Sequence, residues 1–107
     1  MAVGTCLLAG QSIYFNEVTV VACDQAHDAE VTLVFAATDI LDGDASDNQC
    51  HQAVIDYVGA GYAGVGPAGL DYSWLLPPDA PAPGPVVCTA YSLSGSPDLT
   101  GSVKANG

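Results

Sequence analysis

A chain of 107 residues, half of them hydrophobic, supports one domain around one core. Ten Asp and two Glu stand against a single basic side chain, Lys104, for a formal net charge of -11. That balance excludes nucleic acid and anionic lipid headgroups as partners, because no Lys/Arg cluster is there to release counterions. It leaves basic surfaces, cations, or neutral polymers such as glycans.

Met1 to Gly10 is apolar and small, and places Cys6 near the start of the first ordered segment. It lacks the positive n-region of a signal peptide. The expectation is the exported part of a longer precursor, or a chain exported by another route. No run of about eighteen apolar residues is present, so no membrane insertion is expected of this chain.

Ser12 to Asn16 reads as a short strand or the approach to a turn. Val18 to Cys23 is β-branched and reads as a strand. Glu30 to Thr38 is a nearly continuous apolar run, the pattern of a central strand covered on both faces. Between them lies Cys23-Asp-Gln-Ala-His27-Asp-Ala-Glu30. The runs Val18 to Ala22 and Val31 to Ala37 are therefore expected to pair antiparallel, with this polar connector at their tip.

Asp39 to Asp47 forms an acidic loop. From Ala45 to Val58 the residues Cys50, Ala53, Val54, Tyr57 and Val58 recur at i, i+3, i+4, i+7 and i+8, one face of an amphipathic helix. Asp44 or Ser46 suits its N-cap and Gly59 its end. Gly59 to Gly69 is a glycine-rich connector without the Gly-Lys-Ser/Thr ending of a phosphate-binding loop. Leu70 to Leu76 reads as a strand with Tyr72, Trp74 and Leu76 on one face. Pro77 to Pro85 is expected to cross as a stiff extended segment, neither helix nor paired strand. Val86 to Ser92 is another strand, Ser94 to Asp98 a turn, and Leu99 to Val103 a last short strand at an edge. The sum is an α+β domain, an antiparallel sheet of about four to six strands with one packed helix.

Four cysteines in a small Lys-poor chain suggest an oxidising compartment and two disulfides. Three pairings are open to Cys6, Cys23, Cys50 and Cys88, and sequence does not choose among them; chain order favours Cys6–Cys23 with Cys50–Cys88. The rival reading is a zinc site built from Cys23-x3-His27 and Cys50-His51. It has no Cys-x2-Cys pair and asks two adjacent residues to share one ion. The cysteines are read as staples, with no metal or other cofactor required.

His27 and Glu30 could act as an acid/base pair or as ligands. With no nucleophile or orienting partner near them in sequence, they are read as organising the connector. Asp39, Asp42, Asp44 and Asp47 are clustered oxygens of the kind calcium takes, but their spacing fails the EF-hand pattern. Tyr72 and Trp74 could stack on a sugar, though aromatics at alternate strand positions mostly fill cores. No Ser/His/Asp arrangement can be picked out, and catalysis is not expected.

Val3-Gly4-x-Cys6, then Cys23-x3-His27-x2-Glu30-Val31, then a helix holding Cys50 and Ala53, resembles the septum formation domain family of actinobacteria. The ending, with Gly84, Cys88 and Leu99-Thr-Gly-Ser102-Val-Lys104, is similar to that family too. The chain departs from it at Ala26, where the family tends to have Pro, and between Pro81 and Val86, which carries neither its Trp nor its Arg. The resemblance implies an exported or membrane-tethered envelope domain with two disulfides and no enzymatic activity. The leading expectation is thus a non-enzymatic extracytoplasmic binding domain with an envelope protein or polymer as partner. A self-associating subunit of an extracellular assembly is the alternative, and a metal-dependent enzyme using His27, Glu30 and His51 the third.

Overall fold

The computed structural model describes residues 2–10, 12–37, 43–65, 68–78 and 84–104. Its elements are β1 (Cys6–Leu8), β2 (Thr19–Val21), β3 (Ala29–Ala37), α1 (Gly43–Val58), β4 (Leu70–Leu75) and β5 (Gly84–Ser92), with 3-10 turns at Phe15–Glu17 and Tyr62–Gly64. The strands form one antiparallel sheet in the order β2-β1-β3-β5-β4. The architecture is α+β, with α1 on one face and the segment between β1 and β2 on the other.

The apolar run of β3 takes the middle of this sheet, and its two faces meet two separate layers. Val54, Tyr57 and Val58 of α1 pack with Leu70, Ala90 and Leu99, while Cys50 and Ala53 meet Cys88, Leu33 and Phe35. On the opposite face Leu7, Ala29, Val31, Leu75 and Val87 gather under Ala9, Phe15 and Val18. A strand alternates faces with a period of two, so one β3 register could not serve both ends. A bulge resolves this: Val31 pairs with Thr89 and Leu33 with Cys88, leaving Thr32 as the extra residue. Glu30 before the bulge and Leu33 and Phe35 after it then look toward α1.

The helix carries the expected face, for Cys50, Ala53, Val54, Tyr57 and Val58 are all buried. It begins at Gly43, two residues earlier than the periodicity indicates, so Asp44 lies in its first turn and Ser46 inside it; neither is the N-cap. Gly59 ends it at φ 116°, donating its N–H to the Ile55 carbonyl at 2.9 Å. Asp39 and Asp42 lie outside the described residues, as do positions 79–83 of the proline-rich crossing.

Four expectations are corrected. The runs on either side of the Cys23–Glu30 connector do not pair, because β1 lies between them and bonds to both β2 and β3. The strand expected over Val18 to Cys23 is only three residues long and stands at the edge, with Val20 61% exposed. Leu99 to Val103 is not a strand. It makes one bridge, Leu99 to His27, and then turns inward. Finally, β5 starts at Gly84, so Pro85 pairs opposite Ala36. Proline is tolerated there because β5 is only beginning and the β4 pairing reaches no further than Leu75 opposite Val87.

The disulfides are Cys6–Cys23 and Cys50–Cys88, the pairing chain order favours, and no cysteine is free. The first ties β1 to the connector after β2, and the second ties α1 to β5. Two disulfides fit an oxidising compartment. No helix among the described residues is long and apolar enough to cross a membrane.

Candidate functional site

Glu30 is the organising side chain of the connector, and it is fully buried. On β3 it faces Cys6 and Ala90 across the two neighbouring strands, which aims its carboxylate at α1 and the C-terminal segment. Tyr57 of α1 donates its hydroxyl to Oε2, and the Ser102 hydroxyl donates to the same oxygen at 2.7 Å. The Val103 N–H donates to Oε1 at 3.0 Å. A buried carboxylate is costly unless its oxygens are occupied in this way. The Tyr57 hydroxyl responds: burial first, then its donation to Glu30, pushes its pKa up to about 12. Lys104, the only basic side chain besides the histidines, lies 6.0 Å from the Tyr57 ring centroid.

His27 is equally buried. Its backbone exchanges two hydrogen bonds with Leu99, at 2.9 and 3.0 Å, which draws the C-terminal segment against the connector. Its Nδ1 lies 2.8 Å from the Gln25 carbonyl oxygen. A carbonyl only accepts, so Nδ1 carries the proton. Nε2 faces Glu30 Oε1 at 3.8 Å and has no hydrogen-bond partner. Cys6 Sγ lies 3.4 Å from that same oxygen; as a disulfide sulfur it has no proton to give. Cys6, His27 and Glu30 thus meet at one buried point, with Cys23 bonded to Cys6 beside them.

His51, considered above with His27 and Glu30, is elsewhere: it stands on the exposed side of α1, stacked on Tyr72 at 4.9 Å with Tyr62 edge-on at 6.4 Å. Tyr72 donates to Asp47 at 2.9 Å, and that bond raises its pKa. Trp74 packs with Tyr72 against the Cys50–Cys88 layer, so both are half-buried packing residues of one strand face. Asp44 is exposed in the first turn of α1.

A second feature lies beside the Glu30 node. The bulge residue Thr32 is buried, and its hydroxyl has no hydrogen-bond partner. It lines a cleft of about 340 Å³ between β3 and α1, together with Leu33, Gln49, Gln52, Asp56 and Lys104. Sequence reading misses this cleft because the bulge that aims Thr32 arises from packing β3 against two layers. The single local signal is the Gln49, Gln52 and Asp56 spacing along α1, which places amide and carboxylate groups on one helix flank.

No family model matches the chain, and no curated protein or solved structure matches it. The likeness to septum formation domains therefore rests on the motif residues alone.

Proposed function

We propose that this is a non-enzymatic, disulfide-stapled binding domain of an oxidising compartment, and that the cleft under Thr32 takes a neutral polar ligand such as a glycan terminus or an uncharged peptide. The observation that carries this reading is the partnerless buried hydroxyl of Thr32 at a strand bulge. A buried polar group without a partner costs about 1–3 kcal/mol, and a ligand group would remove that cost. Bulges commonly re-aim a side chain next to a binding site. The cleft volume falls in the range of small-ligand pockets, roughly 300–1,000 Å³. The cleft wall is largely apolar, with Val3, Leu33 and Ala53, and Gln49, Gln52, Asp56 and Lys104 supply its polar groups, Gln52 already donating to Asp56 at 2.9 Å. Such a lining suits a ligand with an apolar face and a few hydroxyls or amides. The septum formation resemblance, with its envelope location, points the same way.

Against catalysis stands the burial of His27 and Glu30, both 0% exposed, since a general acid or base must reach its substrate. The reading as an assembly subunit draws on Val20, exposed on the outermost strand β2, where a further strand could add; size-exclusion with light scattering would then show oligomers.

Titrating the isotope-labelled oxidised domain with neutral oligosaccharides and uncharged peptides tests the binding reading. Amide shifts are expected to cluster at Thr32, Gln49, Gln52 and Lys104. Thr32→Val should weaken binding about tenfold, the worth of roughly one hydrogen bond, without lowering stability. Shifts centred elsewhere, or affinity unchanged in Thr32→Val, would overturn it.

A further inference from the structure

We propose that the Cys6–Cys23 disulfide covers a latent metal site: opened by a dithiol, Cys6, Cys23, His27 and Glu30 become a four-donor set for a zinc-class divalent cation. The inference is independent of any ligand in the Thr32 cleft.

Three of the four donors are already gathered in the oxidised chain, and the fourth is bonded to one of them. Cys6 Sγ, a ring nitrogen of His27 and a carboxylate oxygen of Glu30 all lie within 4.8 Å of one another. Zinc–ligand distances of about 2.0–2.3 Å give a tetrahedron with edges of roughly 3.3 Å between nitrogen and oxygen and roughly 3.8 Å between two sulfurs. The sulfur-to-carboxylate and imidazole-to-carboxylate separations are 3.4 and 3.8 Å. Cys6, His27 and Glu30 are thus placed in advance. Cys23, whose Sγ lies by the Gly4 carbonyl, must swing in once the bond is opened, the sulfurs parting to about 3.8 Å and the imidazole closing slightly on the carboxylate. Two thiolates, an imidazole and a carboxylate suit zinc better than calcium or magnesium.

Independently of the cluster, His27 is prepared as a ligand. Its Nε2 is buried, partnerless and aimed at the cluster, while Nδ1–H is committed to the Gln25 carbonyl. A ring fixed in one tautomer by a backbone carbonyl, with its other nitrogen free, is the arrangement that metal-bound histidines adopt. Glu30 has an outer shell already in place: Val103 N–H on Oε1, and Tyr57 and Ser102 on Oε2. Three anionic donors in a sealed space without a cation would be costly, and the ion offsets that charge.

The redox step balances with a dithiol. One of its thiolates attacks Cys23 Sγ, the half-buried sulfur of the pair, and Cys6 departs as thiolate. The reagent's second thiol then resolves the mixed disulfide. The dithiol becomes a cyclic disulfide, having given two electrons and two protons. On metal binding each cysteine thiol releases its proton to water and donates a sulfur lone pair. Cys50 and Cys88 are both fully buried, so limited reduction leaves that bridge closed.

The test is limited dithiol reduction of the whole chain, removal of reagent without air, and titration with cobalt(II) and zinc(II), with alkylation mapping to show which bridge has opened. One ion per chain is expected, with thiolate-to-cobalt charge transfer and tetrahedral ligand-field bands. The oxidised chain should take up none. His27→Gln and Glu30→Gln should each weaken binding by more than the roughly 10–100-fold of an outer-shell change, and Tyr57→Phe by about tenfold. Because Glu30→Gln removes a buried anchor, the double variant Cys6→Ser with Cys23→Ser is titrated alongside it; thiolate-to-cobalt charge transfer that survives there places the ion on Cys50 and Cys88 and overturns the proposal. So does a reduced chain that takes up no stoichiometric ion, whether it stays folded or unfolds and fails to regain its far-ultraviolet circular dichroism with zinc. Binding indifferent to His27→Gln overturns it too.

Discussion

At the scale of single residues, the molecule concentrates its polar cost at Glu30 and meets it with donors from three distant places. Tyr57, Ser102 and Val103 are 27, 72 and 73 residues away in the chain. Tyr57→Phe keeps the ring in the core and removes one donor, a change expected to cost about 1–2 kcal/mol, or roughly 5–15 °C in melting temperature. The pH dependence has a definite sign. The hydroxyl ionises near 12 in the folded chain against about 10 unfolded. Its folded value is raised, so its contribution is whole below pH about 10 and is lost as pH climbs toward 12. Melting temperatures of the parent chain should fall across that window, and Tyr57→Phe should fall less steeply. Tyr91, raised by burial, and Tyr72, raised by its bond to Asp47, supply the slope that remains. Identical alkaline slopes in parent and variant would remove Tyr57 from this account.

At the scale of elements, the passage from the glycine-rich connector into β4 turns on Gly69. It sits at φ 85°, and a Cβ there would collide with the Ala63 carbonyl oxygen, which is backbone and cannot swing aside. Gly95 is also left-handed, at φ 71°, but has open space around it. Gly95→Ala should therefore cost only the conformational term, about 1 kcal/mol. Gly69→Ala should cost that plus a backbone displacement, about 3 kcal/mol in all. Denaturant midpoints of the two variants check the difference, and equal losses would mean that the connector yields freely. The same contrast between local and tertiary causes explains what could be read from sequence. The helix was legible because its apolar face repeats at 3.6 residues, and β3, β4 and β5 because their composition is β-rich over six to nine residues. Strand β1 was not legible: Cys6–Leu8 is three residues with no alternation, and its place between β2 and β3 is a matter of pairing. His27 and Glu30 stood out by residue type, but the partners that bury them carry no local pattern, and neither does the Thr32 bulge.

At the scale of the whole molecule, the two staples and the charge act on different states. The disulfides span 17 and 38 residues, and on the chain-entropy view they stabilise by about 3 and 4 kcal/mol through the unfolded chain. Charge acts mainly on the folded state. A formal charge of -11 is held within extents of 35 × 26 × 22 Å and a radius of gyration of 12.8 Å, whereas an unfolded chain of this length spreads to about 30 Å. Folding therefore brings like charges together. Attraction offers little in return, because the sole approach of a basic side chain to a carboxylate among the described residues is that of His27 to Glu30. The His27 Nε2 makes no hydrogen bond, and the pair is sealed from solvent. Added salt then has repulsion to screen and almost no attraction to weaken. The screening length falls from about 30 Å at 0.01 M to about 10 Å at 0.1 M, from larger than most of the molecule to smaller than any of its dimensions. Melting temperature should rise steadily over that interval, by an amount on the order of 1 kcal/mol or roughly 4–8 °C, and equally in sodium and potassium chloride. An equal osmolality of sucrose, which screens nothing, separates charge from solvent exclusion. A flat or falling salt profile would mean that the acidic groups are neutralised by contacts this charge balance does not contain.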